Sequence, residues 1–500
     1  MAGSADEAVS FGRRIRDLAA LHPESNAITL ARQDGGEDAL DWGTLDRWAN
    51  RLARLMAARG VGAETMVCVG LYNSLEHYAA TIAAWRCGAC VLPLSPRMPD
   101  HEFTGMVGLL ETKFVVSDRA DADLSTAAVA GLRVGGAWAD AELPDVTADP
   151  GKAIGSGGST GRSKIIVDPR PWARVPGNVA DVARIGFRSR DVQLVAGPLY
   201  HNSPFTWSHY GLFEDQPLVV MERFDPARAV DLIERYRCAF MFFPPIMLLR
   251  ISRLPDLASR DLSSIRMIFQ TAAACPVWLN RFWIERVGPE HMVEAYGSSE
   301  ATGSTVMGGV EWLAHPGSVG RPDPANCAMK ILDAEFNEVP AGTVGEIFFR
   351  STKHPEPTYL YIGSPPAKST PDGFASVGDL GYVDDDGYLF IVDRRIDMIV
   401  TGGANVYPAE VEAALTEHPS VADAAVIGLA DEEWGRRVHA VIETARPGEA
   451  LDEGEVTAWL RQRLTSYKLP KTYEFTDALP RDPSGKIRRS ALVTEREAGG

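Results

Sequence analysis

Apolar residues recur at helical spacing between positions 45 and 59, with Leu45, Trp48, Ala49, Leu52, Leu55 and Met56 on one face, as an amphipathic helix requires. Residues 65–71 form a short β-rich run, 75–85 return to a helical pattern, and 91–94 and 113–116 are apolar runs of strand length. The alternation resumes with 192–196, 226–236 and 240–243, then 262–269 and 276–286. Strands alternating with helices predict parallel βαβ units. The texture changes after Gly308. Runs at 328–332, 345–350 and 388–392 are β-like and separated by short turns. Asp384-Asp385-Asp386-Gly387 between two apolar runs signals a hairpin, because Asp-Gly reaches positive φ at little cost. The Asp triplet holds carboxylates enough for a metal site, but the turn is the reading taken. A third texture begins near Asp397. Tyr407-Pro408-Ala409-Glu410 opens a helix with an early Pro, 424–427 and 438–442 read as strands, and 453–464 as an amphipathic helix.

These textures predict an α/β protein. Its large N-terminal domain, residues 1–395, divides into α/β subdomains at about 1–150 and 151–310 and a small β-rich barrel at 311–395. A smaller α+β domain covers 396–500. The length of 500 residues agrees, since a prior of ~150 residues per domain gives about three units. Composition adds exclusions. With 45% apolar and 23% charged residues the chain can bury large cores. Fifty Lys and Arg against 67 Asp and Glu give a net charge of −17. That argues against nucleic-acid binding, which rests on phosphate neutralisation by Lys and Arg, yet leaves room for a local cationic groove around a small anion. The first residues lack a basic segment followed by an apolar one, so no secretory signal is expected. The longest apolar stretch, 238–249, is interrupted by Pro244 and Pro245 and falls short of the ~20 residues of a membrane span. The expectation is a soluble, cytoplasmic protein. Six cysteines are too few for a disulfide scaffold, and Cys87-Gly-Ala-Cys90, lacking a second such pair, reads as buried core.

The sharpest local feature is Gly155-Ser156-Gly157-Gly158-Ser159-Thr160-Gly161-Arg162-Ser163-Lys164. Its glycines and hydroxyls suit a loop whose N–H groups wrap an anion, with Arg162 and Lys164 adding positive charge. It is neither a Walker A motif nor GxGxxG. It also fits GxSxG, so a serine hydrolase built on Ser159 is an alternative. An elbow needs a strand before and a helix after the Ser, however, and Ile165–Val167 directly after the loop is β-rich.

With Tyr296-Gly297-Ser298-Ser299-Glu300, Val377-Gly378-Asp379 and residues 480–486 added, the chain resembles the acyl-adenylate-forming superfamily of acyl-CoA synthetases, adenylation domains and luciferases. The motifs stand in the family's order over about 330 residues. The resemblance implies a two-step reaction with ATP, Mg²⁺ and coenzyme A. A carboxylic acid is activated as acyl-AMP with release of pyrophosphate, and a thiol then displaces AMP. Adenylation for a carrier-protein thiol is the alternative acceptor reading. Compared with bile-acid and terpenoid-type CoA ligases, the loop and the Tyr-His-Asn run are similar, and a bulky hydrophobic acid is expected.

Residue by residue, the resemblance implies that Ser156, Gly157, Gly158, Ser159, Thr160, Gly161 and Lys164 cradle phosphates. It implies that Tyr296 stacks on adenine with Gly297 in the same ATP/AMP site, that Asp379 and Arg394 take the ribose, that Ser299, Glu300 and His201 are catalytic together with Lys486, and that Glu300 is the Mg²⁺ ligand. Lys486 is the cation of the first half-reaction. His201, with Asn202, Phe205, Thr271, Ala272 and Ala273, lies by the acyl group. Gly402, Gly403 and Trp434 belong to the CoA tunnel. The C-terminal domain is then mobile, withdrawing Lys486 and presenting Gly402-Gly403 after adenylation. Ile396 stands where relatives carry a polar hinge residue. The partners are a small carboxylic acid, ATP and CoA, and a homodimer is compatible with this reading.

Overall fold

The computed structural model describes residues 8–157, 163–174, 186–353, 357–446, 448, 451–482 and 485–498. Helix Trp42–Ala58 starts where Asp41 accepts the Thr44 N–H at 2.6 Å, and buries the predicted stripe of Leu45, Trp48, Ala49, Leu52 and Met56. Helix Leu75–Arg86 buries every residue but Glu76. It packs between the sheet and other helices, which explains a pattern apolar all round. Helix Pro226–Tyr236 takes Asp225 as its cap, Pro at its first turn and a left-handed Arg237 at its end.

Two large sheets organise the N-terminal domain. In the nine-stranded sheet, Asn26–Ala31, Leu218–Met221, Gln193–Val195, Phe240–Phe243, Met267–Gln270 and Met292–Gly297 run parallel, with antiparallel strands at both edges. In the six-stranded sheet, Lys113–Ser117, Met66–Gly70, Cys90–Pro93 and Lys152–Gly157 are parallel, followed by the antiparallel Ser163–Asp168 and Leu360–Ile362. The two sheets interleave along the chain rather than dividing it near residue 150, since residues 26–41 pair into the later sheet and 360–362 into the earlier one. Local patterning shows a strand but not its pairing partner. The β-rich segment is an antiparallel sheet in which Gly345–Ser351 is flanked by Cys327–Leu332, Ala375–Ser376 and Asp379–Val383. No ladder among the described residues closes it into a barrel. Asp384 and Gly387 turn the hairpin into Leu389–Arg394, with Gly387 at φ +80°. Cys87 and Cys90 are free thiols, and Cys90 is buried.

The C-terminal unit has its own core. Val421–Asp431 and Gly435–Thr444 form an antiparallel hairpin that Thr472–Thr476 extends in parallel. Val411, Leu415, Val426, Val438, Ile442 and Leu460 fill the space between this sheet and helices Pro408–Thr416 and Glu453–Arg461. The connection to the large domain is pinned at both ends. Arg395 reaches Glu346 of the large domain at 3.1 Å, and Asp397 meets Arg489 of the small one at 3.2 Å. Ile396 between them is 61% exposed.

Among the described residues several links join the two domains, including the Ala409 N–H donating to Asp393 Oδ2 at 3.0 Å. Arg488 lies 3.4 Å from Glu102, and Arg253 donates to the Thr416 carbonyl at 3.0 Å. Gly485, at φ +86°, approaches so closely that a Cβ there would lie 2.1 Å from Ile246 Cγ2. Replacing Gly485 by Ala therefore forces the domains apart and strains a left-handed backbone by about 1 kcal/mol. The expected outcome is tryptic cleavage at Arg394 and Arg395 several times faster than in the parent, with a melting temperature within about 4 °C of it. Unchanged cleavage would show that the close approach does not hold the domains together.

Candidate active site

A cleft of about 2800 Å³ opens where the two domains meet, lined among others by Ser156, Lys164, His201, Tyr296, Ser299, Glu300, Asp379, Arg394 and Lys486. It lies beyond the carboxyl ends of parallel strands. Met292–Gly297 delivers Tyr296 and Gly297, and Met267–Gln270 delivers the segment that starts at Thr271. Ligands gather at such ends because the strands stop and their loops diverge.

Glu300 is 5% exposed and held from two sides. Thr358 Oγ1 donates to its carbonyl at 2.7 Å, and Tyr361 Oη donates to its carboxylate at 2.6 Å. Lys164 Nζ stands 3.3 Å from the same carboxylate and 3.9 Å above the Tyr361 ring. Burial alone pushes the carboxyl up, but the Tyr361 hydrogen bond and the Lys164 charge outweigh it and hold Glu300 below its ordinary value. A buried, ionised carboxylate facing a cleft fits a hard divalent cation such as Mg²⁺. The sequence reading missed Tyr361. Its register opposite Ile166 arises from a strand pairing across nearly 200 residues, which one sequence does not display.

On the opposite wall Tyr296 Oη donates to Asp379 Oδ2 at 2.6 Å, and Arg394 Nε lies 3.4 Å from Oδ1. Asp379 and Arg394 are register partners on one hairpin, so the backbone sets the pair. Gly378 before them adopts φ +91°, a conformation that favours glycine. Burial and the adjoining Asp379 carboxylate raise the Tyr296 phenol well above its ordinary value and keep it protonated.

Lys486 enters from the small domain. Its N–H donates to Asp482 Oδ1 at 3.0 Å and its carbonyl accepts from the Asp482 N–H at 2.8 Å. Arg481, ion-paired with Asp423, donates to the Gly485 carbonyl at 2.8 Å and stiffens the turn. Burial and the nearby Arg394 lower the Lys486 ammonium from its ordinary value, against the pull of Asp482, Asp379 and Glu300.

Family models for the AMP-binding enzyme and for the AMP-binding enzyme C-terminal domain match residues 15–359 and 410–486. The chain belongs to the AMP-binding enzymes. It is 31% identical over 480 residues to a fatty acid–[acyl-carrier-protein] ligase, ScoC, of Streptomyces coeruleorubidus, with 91% of each chain covered. It is 32% identical over 487 residues to a feruloyl-CoA synthase of an Amycolatopsis species, covering 95% of this chain and 96% of the relative. The o-succinylbenzoate CoA synthetase MenE of Bacillus subtilis, solved with its acyl-adenylate OSB-AMP, superposes with a TM-score of 0.78 at 26% identity, covering 96% of this chain and 97% of that one. The same protein solved with ATP and magnesium ion gives 0.77 at 26% identity, covering 96% and 98%. Like these relatives, this AMP-binding enzyme is an acyl-adenylate-forming acid–thiol ligase. Among its described residues no helix is long and apolar enough to cross a membrane.

The remaining predicted positions of the AMP-binding enzyme divide. Ser156 and Gly157 end a strand paired with the one that starts at Ser163, with Ser156 opposite Lys164; Gly158, Ser159, Thr160 and Gly161 lie outside the described residues. Thr271, Ala272, Ala273 and Asn202 line the cleft, and Ala272 holds φ +79°. Phe205 does not line it. At 0% exposure it packs in the core against His209 at 4.4 Å and Trp85 at 5.9 Å, because helix Asn202–Phe213 turns its side chain inward. The cleft instead receives Trp207 and Tyr210 of that helix, with Phe242 and Phe269, which are register partners on adjacent strands. Gly402 and Gly403 turn the hairpin of Ile399–Thr401 and Ala404–Val406, and the Gly402 N–H donates to the Trp434 carbonyl at 3.0 Å. Neither these glycines nor Trp434 line the cleft, so this orientation presents Lys486 and holds Gly402 and Gly403 away.

His201 is half-buried, and its Nε2 is shielded from solvent and unpartnered among the described residues. Burial, reinforced by the Lys486 charge and opposed by Asp482, brings it down to about 4. It therefore becomes charged only as pH falls through that value and is neutral at pH 7. The ring C–H resonance of His201, assigned with His201→Asn, should stay flat between pH 5.5 and 8. Lys486→Met should raise its titration midpoint by removing the charge that lowers it. A midpoint near 6.5 in the parent enzyme would contradict the burial.

Proposed function

We propose that this ligase is an ATP-dependent acyl-CoA synthetase. On this reading it activates a bulky, hydrophobic carboxylic acid as acyl-AMP with release of pyrophosphate, and then transfers the acyl group to coenzyme A in the cytoplasm. The observation that carries the reading is the convergence of Lys486 from the small domain with Glu300, Tyr296 and Asp379 from the large one in a single cleft. The loop around Ser156–Lys164 supplies backbone donors for the triphosphate. Tyr296 offers its ring face to adenine, and Asp379 with Arg394 takes the ribose hydroxyls. Lys486 bridges the attacking carboxylate and the α-phosphate, offsetting charge as the new bond forms. Glu300, with Ser299 beside it, would hold Mg²⁺, which when bound draws off negative charge from phosphate oxygens. His201, neutral, offers a hydrogen bond near the carboxylate without adding charge.

The second half-reaction requires the small domain to turn about Ile396, withdrawing Lys486 and bringing Gly402 and Gly403 to the cleft. A glycine pair leaves room for a thin pantetheine arm, and Trp434, 38% exposed, presents a face for the CoA adenine. A carrier-protein thiol as acceptor is the second reading, favoured by the likeness to ScoC.

An acid panel with ATP and Mg²⁺, trapped as hydroxamates, tests adenylation without naming the acceptor. Lys486→Ala should lower acyl-AMP formation by about 10²- to 10³-fold, the scale of losing one aimed electrostatic group, while retaining most thiol transfer from supplied acyl-AMP. Equal loss of both steps would show that Lys486 is not the cation of adenylation. Mass spectrometry of the thioester formed from CoA against that on an acyl-carrier protein decides between acceptors.

A further inference from the structure

We propose that the acyl pocket is built for an aromatic carboxylic acid bearing a hydrogen-bond-accepting oxygen on its ring, and that Asn202 selects for that oxygen. The inference rests on the reading that the cleft adenylates an acid. Asn202 opens helix Asn202–Phe213 and lines the cleft. Behind it lies a buried lysine that the proposed reaction leaves unused. Lys152 Nζ donates to Asn202 Oδ1 at 3.0 Å and to Thr206 Oγ1 at 3.2 Å, and Thr206 Oγ1 donates to the same Oδ1 at 3.1 Å. Two donors converging on one oxygen fix the amide, since exchanging its O and N would set an NH₂ group against an ammonium. Lys152 is itself held by Asp168 at 3.7 Å and lies 5.8 Å from the Trp172 ring centre. Nδ2 of Asn202 makes no hydrogen bond among the described residues, so this cleft-lining side chain keeps a donor for a ligand.

The same cleft carries an aromatic wall. Phe242 and Phe269 stack at 5.3 Å and 20°, Trp207 and Phe242 at 6.2 Å and 23°, and Trp207 lies 5.5 Å from Phe269. Two of the three ring pairs are stacked and the third, Trp207 against Phe269, is tilted by 44°; such a cluster favours an aromatic partner through ring–ring contact in addition to area. Ala272 and Ala273 elsewhere on the lining leave room for it. Arg170 also lines the cleft, but Asp168 holds its guanidinium bidentately at 2.7 Å and 2.7 Å. The polar feature read is therefore a neutral oxygen rather than a second carboxylate. An acid that covers Nδ2 without an acceptor leaves a buried donor unpaired, and sites of this kind discriminate strongly.

The test compares hydroxamate-trapped kcat/KM for cinnamic acids carrying a hydroxyl, methoxy or methyl group at each ring position, together with octanoic and decanoic acids. The best oxygen-bearing acid should exceed its methyl counterpart by about 10-fold or more, and aryl acids should exceed the alkyl ones. Asn202→Leu should reduce the oxygen-to-methyl ratio to near one. Lys152→Met and the milder Thr206→Val should lower that ratio without touching the acid, whereas a purely structural role would lower both acids alike. Methyl and oxygen acids used equally by the parent enzyme, a ratio preserved in Asn202→Leu, or a preference for alkyl acids would overturn the inference. Hydroxamate from alkyl acids alone leaves the ligase reading standing and removes this one, whereas no hydroxamate from any acid removes both.

Discussion

The site depends on carrying one cation, Lys486, from a small domain into a cleft whose anions are fixed on a large one. The cleft does not hold that cation by charge. Asp482, Asp379 and Glu300 favour the ammonium, yet burial and Arg394 outweigh them and lower its proton affinity. Before a substrate arrives, the buried ammonium is thus under-compensated. What holds the domains is a close contact at Gly485 and Ile246 together with polar links such as Arg488 to Glu102. Exposed ion pairs of this sort contribute little, in the range of ~0–1 kcal/mol. A triphosphate would supply the negative charge that the protein's own groups do not.

The receiving side is built in the opposite way. Glu300 is fixed by Thr358 through its backbone and by Tyr361 through its carboxylate. Asp379 is set by strand register against Arg394 and by the Tyr296 phenol. These contacts join strand ends of three different sheets, so the geometry of the anions does not depend on the small domain. On the proposed reading, fixed anions and a cation carried by a separate domain are what an ordered two-step reaction asks of one cleft.

The motif residues were legible because they are local. Tyr296 and Glu300 bound a single short motif, Asp379 follows its glycine directly, and Lys486 sits in a turn stiffened by Arg481 and Asp482. The helix stripe of Leu45, Trp48 and Leu52 was legible for the same reason. Residues that matter through long-range pairing were not. Tyr361 reaches Glu300 because Leu360–Ile362 joins the sheet of the phosphate hairpin. Phe242 and Phe269 form one wall because two strands pair in register. Phe205 was misplaced because spacing within a motif does not say which face of a helix the core covers. The interleaving of the two large sheets has the same cause.

The acidic charge of the chain takes on a local meaning in the proposed reaction. Each described cation aimed at the nucleotide already faces a carboxylate. Lys164 lies on Glu300, Arg394 on Asp379, and the Lys486 ammonium feels the charge of Asp482. Binding a polyanion is then an exchange of partners rather than a meeting of opposite fields. As Lys164 turns from Glu300 toward phosphate, it leaves a buried ionised carboxylate, a hard-oxygen ligand of the kind Mg²⁺ takes together with phosphate oxygens. Nucleotide and metal are thereby coupled through one side chain. A net charge of −17 does not oppose ATP binding, because the charges that decide it sit within a few ångströms of one another inside a cleft.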